Sequence, residues 1–334
     1  MKQLRLLITR IDRIGDVVLS TPIPREVKKK YPNSFIALLV RKQTKDIYTN
    51  NPYVDEIIIL NEKNSWRGFW QNIKAIRKFK FTHAFMLLPQ ERLNWILFAS
   101  LIPTRIGVGH KLYQFLTFTR YVDRKKYREE RHEADYSLDM VRKIGITPES
   151  NHPEIFLSDI EKNEVAELRN KYKGKTLVGI NSTYGNSAPN ITPTQYHKLI
   201  YKLTHYTNIK IILTDYMVPK ELKNIPGVDY SGQNTSVRDL INILAALDVL
   251  ISCSTGPMHI AAALKVPTIS LFCPLPACSP KLWGPLGNNS RVLLPEDGYC
   301  GRICSGDPKT CSFEGEGGID SEKIILTVKQ FLKI

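Results

Sequence analysis

The sequence has no apolar run long enough to cross a bilayer. The longest, around Trp95–Ala99, falls well short of the ~18 residues a spanning helix needs, which argues against an integral membrane protein. Met1-Lys2-Gln3-Leu4-Arg5 leads straight into a strand-like stretch, without the apolar region and cleavage site of a secretory signal, so a cytoplasmic location is expected. Cysteine is missing from the first 252 residues, and all six follow. Without an export signal these are expected to be free thiols or metal ligands rather than a disulfide framework. There is no internal repeat and no low-complexity segment, which excludes solenoid and fibrous architectures. The basic residues form no recognisable nucleic-acid-reading motif.

What is present is a chain of 334 residues, more than one hydrophobic core usually holds, so two domains are expected. Its formal net charge is +15. Residues 1–160 carry 28 Lys and Arg against 17 Asp and Glu, and residues 161–334 carry 19 against 15. The excess basicity in the first half points to an anionic partner there: a phosphorylated substrate, nucleic acid or an anionic membrane surface.

Short β-rich runs alternate with helical periodicity along both halves. In the first, strands are expected at Leu4–Thr9, Phe35–Val40, Glu56–Leu60, His83–Leu88 and Arg105–Val108, with helices at 17–31, 64–81, 92–101 and 132–144. The turn-rich segment 145–153 marks a linker. In the second, strands at Thr176–Asn181, Ile209–Thr214, Val249–Cys253 and Pro267–Phe272 alternate with helices at 193–205, 237–247, 258–264 and 321–332. This order implies α/β architecture, with two doubly wound parallel sheets and a default site in the cleft between them.

The segment VLISCSTGPMHIAAALKVPTISLF (249–272) reads as strand, tight loop, helix, strand. Pro257 suits a first helical turn, and the free amides of that turn form a ready anion site to which the Ser254 and Thr255 hydroxyls could add. Taken alone, this is either a phosphate-binding turn or a plain strand-to-helix turn. Asp16, following Gly15 at the opening of a helix, is either a helix cap or a catalytic carboxylate, and the helix dipole favours a negative charge there. Cys300, Cys304 and Cys311, with Cys278 near, have C-x3-C-x6-C spacing, looser than paired zinc motifs, and free thiols are expected over a metal site. The helix at 64–81 and the basic, aromatic segment 111–131, with Tyr113, Phe115, Phe118, Tyr121 and Tyr127, are either flanks of the core or contacts for lipid or an anionic acceptor.

Two stretches carry a resemblance. ITRIDRIGDVVLSTPIPREVKKKYPNS (8–34) and VDYSGQNTSVRDLINILAALDVLISCSTGPMHIAAALKVPTISLF (228–272) resemble glycosyltransferase family 9, the ADP-heptose:lipopolysaccharide heptosyltransferases, with Gly15, Asp16, Thr21 and Pro22 in register. The resemblance implies a GT-B fold of two Rossmann-like domains facing across a cleft. Residues 1–155 would hold the acceptor and 156–320 the nucleotide-sugar, and helix 321–334 would pack back on the first domain. It also implies an inverting transfer needing no cofactor, from an ADP-sugar donor to an anionic glycolipid acceptor. Asp16 would be the general base, with Asp12 a weaker alternative read as a loop surface residue. Arg10, Arg13 and Gly15 would meet acceptor or phosphate. Ser182, Thr183, Ser254, Thr255, Gly256, Pro257, Met258 and His259 would hold the donor.

Two positions depart from the family pattern. Ser254 stands where an Asp is common, and Asn190 precedes Thr192-Pro193 where a Lys is common. Both changes remove charge from the donor site and leave the sugar open. Peripheral contact with the inner face of the cytoplasmic membrane is expected, and nucleic acid is not an expected partner. The competing readings are a GT-B sugar-nucleotide epimerase and a non-catalytic module for anionic glycans or nucleic acid.

Overall fold

The computed structural model describes residues 3–124, 130–183, 185, 188–304, 306–308 and 310–333. Tyr127, in the basic aromatic segment, lies outside them. The chain forms two compact units, Met1–Phe156 and Leu157–Ile334.

The first unit is built on β1 (Arg5–Thr9), β2 (Phe35–Val40), β3 (Glu56–Ile59), β4 (His83–Met86), β5 (Thr104–Val108) and β6 (Arg120–Val122). All pairs are parallel, in the order β3-β2-β1-β4-β5-β6. Continuous apolar strands such as LLI in β1 and IALLV in β2 are buried throughout, as a sheet covered on both faces requires. Its helices are α1 (Ile14–Val18), α2 (Pro22–Lys30), α3 (Trp66–Arg77), α4 (Glu91–Ala99), α5 (Leu112–Leu116), α6 (Glu133–Ser137) and α7 (Asp139–Arg142).

The single helix expected at 17–31 is two. Pro22 has no N–H to return to Val18, and the Ser20 and Thr21 hydroxyls donate to the Val17 and Val18 carbonyls instead. Helix α3 buries Ile73 and Ile76 on the sheet, while Trp66 stacks on Phe69 at 5.7 Å and remains largely exposed. Segment 111–124 holds a short helix and an edge strand, β6, that the sequence pattern did not indicate.

The second unit repeats the plan with β7 (Thr176–Asn181), β8 (Ile209–Leu213), β9 (Val228–Asp229), β10 (Val249–Cys253), β11 (Thr268–Leu271) and β12 (Ser290–Leu293). Again all pairs are parallel, in the order β12-β11-β10-β7-β8-β9. Its helices are α8 (Asp159–Lys171), α9 (Pro193–Thr204), α10 (Val237–Ala245), α11 (Gly256–Ala263), the short α12 (Pro280–Trp283) and α13 (Tyr299–Arg302), and α14 (Ser321–Leu332). Helix α14 packs on α9, and Ile324, Ile325 and Val328 enter the core of this unit.

Each sheet reverses its winding beside its first strand, at β1/β4 and at β7/β10. In doubly wound sheets such switch points open a crevice at the carboxyl ends of the strands, where ligands bind. Arg10 to Asp16 follow β1, and Ser182 and Ser254 follow β7 and β10. Among the described residues no helix is long and apolar enough to cross a membrane.

Candidate active site

In the first unit the loop after β1 is organised by a buried cation. Arg10 is 2% exposed, and burying a guanidinium is costly unless carboxylates surround it. Its Nε lies 2.9 Å from Asp12 Oδ1, and its Nη2 donates to Asp16 Oδ1 at 2.7 Å and to Glu133 Oε1 at 3.4 Å. Glu133, on α6, also accepts from Arg124 Nη1 at 2.8 Å. Burial works to lower the Arg10 pKa, but Asp12, Asp16 and Glu133 outweigh it and hold the group above its ordinary value. Burial of Asp12 outweighs the pull of Arg10 and, with Asp16 adding repulsion, pushes its carboxyl up to about 6.

Asp12 is therefore tied into this network rather than free on the loop surface as expected; its side chain is 16% exposed. Asp16, in the first turn of α1, is 20% exposed. A carboxylate fixed by a buried guanidinium and still open to solvent can take a proton from a bound hydroxyl. Arg10 is engaged by three carboxylates and fixes the position of Asp16. Arg13 is exposed on the same loop, and Gly15 is half-buried beside Asp16.

In the second unit the network centres on Asp215, which sits just beyond β8 and is fully buried. It accepts from Ser182 N at 2.9 Å, Ser182 Oγ at 2.9 Å, Thr183 N at 2.7 Å, Thr183 Oγ1 at 2.7 Å and Asn181 Nδ2 at 3.2 Å. Burial raises its pKa, against the Thr183 and Ser182 hydrogen bonds that favour its charge. The donors of Ser182 and Thr183 that could serve a phosphate are thus turned onto a carboxylate of this chain. Thr255 Oγ1 donates to Asn181 Oδ1 at 3.3 Å, which ties the β10 loop to the same network.

Because that hydroxyl points to Asn181, it does not cap α11. The amides of the first turn, Gly256 and Met258, keep the positive end of the helix for an anion, with Pro257 contributing no N–H. The Met258 side chain is wholly buried, so its backbone alone faces that end. Ser254, Gly256 and Pro257 are half-buried there, and His259 is 4% exposed beneath them.

Residues 231–304, spanning α10, β10, the α11 loop and β11, match the model for Glycosyltransferase family 9 (heptosyltransferase). The chain is 25% identical to a Haemophilus influenzae protein provisionally named a glycosyltransferase, over 86% of this chain and 88% of that one. It superposes on the Veillonella parvula glycosyl transferase family 9 structure with a TM-score of 0.81 at 21% identity, covering 99% and 97% of the two chains. For Escherichia coli ADP-heptose lps heptosyltransferase II the TM-score is 0.75 at 17% identity, over 99% of both. This chain resembles glycosyltransferase family 9 in sequence over residues 231–304 and in fold over nearly its whole length. Its two doubly wound sheets are those of the GT-B fold, and it is a glycosyltransferase.

In the sequence, Asn190 stands where the family 9 pattern commonly has a Lys. Here Asn190 is 5% exposed and acts as a strut: its Nδ2 donates to Ser182 O at 2.7 Å, and its Oδ1 accepts from Tyr196 OH at 2.8 Å. It fixes the loop that Asp215 holds and contributes no charge. The site residues that the sequence reading missed are Asp215, Glu133 and Arg124. Each is remote in sequence from the loop it serves, and only the parallel pairing of β7 with β8 brings Asp215 to Ser182.

All six cysteines are free thiols. Cys300, Cys304 and Cys311 pack against the second core near Tyr299 and Phe313. Among the described residues, no group of three or more His, Cys, Asp or Glu side chains is arranged to hold a metal ion.

Proposed function

We propose that the chain transfers heptose, or a related sugar, from an ADP-activated donor to a lipopolysaccharide core or another cell-surface glycan, with inversion at the anomeric carbon. The acceptor hydroxyl oxygen attacks that carbon, the bond to the diphosphate breaks on the opposite face, and the proton passes to Asp16. The nucleoside diphosphate leaves with the bonding electrons, and the first-turn amides of α11 meet its growing charge. No metal or cofactor enters this scheme. The enzyme would work in the cytoplasm on an anionic acceptor, which suits the basic first half of the chain.

The observation that carries the reading is the Arg10–Asp16 pair: a carboxylate 20% exposed, fixed at 2.7 Å by a guanidinium that is itself buried. The description of the E. coli enzyme as an ADP-heptose lps heptosyltransferase supports the donor and the acceptor. The uncapped end of α11 supports a diphosphate over an uncharged leaving group.

The test is a thermal-shift screen of ADP-, GDP-, UDP- and CMP-sugars, followed by transfer from the stabilising donor to a heptose-deficient core acceptor. Stabilisation by ADP-sugars and a β-to-α or α-to-β change in the product bond support the reading. Retention of configuration overturns the mechanism, and silence toward every nucleotide overturns the donor site.

A further inference from the structure

Segment 111–122 is folded inside out. Its polar side chains turn inward: Gln114 is 2% exposed, Thr117 fully buried and Thr119 8% exposed. They are anchored, with Gln114 Nε2 donating to Val108 O at 3.0 Å, Asn94 Nδ2 to Thr117 Oγ1 at 2.7 Å, and Thr119 Oγ1 to Asn94 Oδ1 at 3.0 Å. Its apolar side chains turn outward. Leu112 is 74% exposed, Phe115 78%, Leu116 53% and Phe118 82%. Phe118 also adopts φ +54°, a left-handed conformation that a bulky residue takes only when its surroundings impose it.

A segment that buries its hydroxyls and displays its phenyl rings is not short of polar residues to show. The buried hydrogen bonds hold the four apolar side chains out as a fixed protrusion, and contiguous exposed apolar surface of this kind marks an interaction site. Lys111 and Arg120 are exposed at its two ends, and Lys143 Nζ lies 5.7 Å from the ring of Tyr121, itself half exposed. Three cations thus border the apolar protrusion, with Glu91 facing Tyr113 on its other flank, in the half of the chain that carries the basic excess.

We infer that α5 and the start of β6 dock on an anionic lipid bilayer, with Leu112, Phe115, Leu116 and Phe118 entering the boundary between headgroups and acyl chains and Lys111 and Arg120 meeting lipid phosphates. The combination of apolar residues with a basic rim is that of interfacial anchors. A second copy of the chain is disfavoured as the occupant because it would bring Lys111 and Arg120 against like charges. The inference is independent of the sugar and of the role of Asp16.

Sedimentation of the full-length protein with vesicles tests it, using phosphatidylcholine alone and phosphatidylcholine with phosphatidylglycerol. The wild type is expected to bind the anionic vesicles, to bind neutral ones weakly, and to lose affinity as salt rises. The double variant Phe115→Ser/Phe118→Ser, both positions being exposed, is expected to keep its melting temperature and to lose at least about tenfold in partitioning. No binding of the wild type to anionic vesicles overturns the inference, as does equal binding by the variant. A concentration-dependent dimer in analytical ultracentrifugation that the same variant disperses overturns it in favour of a second copy.

Discussion

Arg10 Nη2 lies 2.7 Å from Asp16 Oδ1, joining a buried guanidinium to a carboxylate in the first turn of α1. The cation has no other way to be accommodated in the interior than by such partners. Glu133 supplies a second acceptor and Asp12 a third negative charge, so the geometry of Asp16 is set by a group that solvent does not reach.

Asp16→Asn removes the proton acceptor while keeping shape and one hydrogen-bonding oxygen. Turnover is expected to fall by about 10²–10⁴-fold, the usual contribution of a positioned base. Donor affinity should change little. Steady-state kinetics with a titration of the nucleotide-sugar separate the two, and retained turnover would sink the assignment.

Arg10→Met leaves Asp12, Asp16 and Glu133 facing one another without their shared cation. Removing one partner from a buried charge network costs about 3–5 kcal/mol. A urea titration should show that loss. Glu133→Gln, which leaves Asp12 and Asp16 on Arg10, should cost less.

Asp12 gives the network a pH dependence. Its pKa is pushed up to about 6 by burial, from an ordinary 3.8, so the folded chain holds the proton more tightly than the unfolded one. This contribution to stability is fully present below about pH 4 and is lost as pH rises through 6. Unfolding midpoints of the wild type between pH 4 and 7, compared with those of Asp12→Asn, should differ by a slope of that sign. A variant whose slope matches the wild type would exclude Asp12 as its source.

The fold was largely legible because buried parallel strands are uninterrupted apolar runs, as in FIALLV and VLISC. Helix α8 was missed because it buries no residue and so has no apolar stripe; its signal was the capping box of Ser158 and Glu161. Strand β6 was missed because its segment reverses the usual pattern, with apolar residues outside. In the site, the loops were readable and their supports were not. Gly15-Asp16 and Ser254–His259 are local motifs, whereas Glu133 lies 123 residues from Arg10 and Asp215 33 from Ser182. Asp12 was misread because a charged residue in a loop is ordinarily solvated.

The thiols offer a chemical check on the second unit. Burial pushes Cys300 and Cys311 up to about 11, with neighbouring thiols adding to the effect. Only the thiolate reacts, so alkylation of the native protein at neutral pH should be far slower than that of a free peptide thiol and should accelerate steeply above pH 9. In denaturant all six should react. Fewer than six would reveal a bond or a bound metal.

Asp215 is the test of how the loop after β7 is held. Five donor groups of Asn181, Ser182 and Thr183 converge on its carboxylate. Asp215→Asn keeps the volume but replaces one acceptor oxygen with an NH2 that faces the Ser182 and Thr183 amides, donor against donor. Loss of bonds to a charged acceptor costs about 1.5–3 kcal/mol each, and a loss in that range is expected in a urea titration. Because Thr255 reaches the same network through Asn181, the loop ahead of α11 should loosen as well. Hydrogen exchange should then quicken at 181–183 and at 255–256, while 10–16 in the other unit stays protected. If exchange quickens only at 181–183, the Thr255–Asn181 bond does not couple the two loops, and the end of α11 is organised by its own backbone alone.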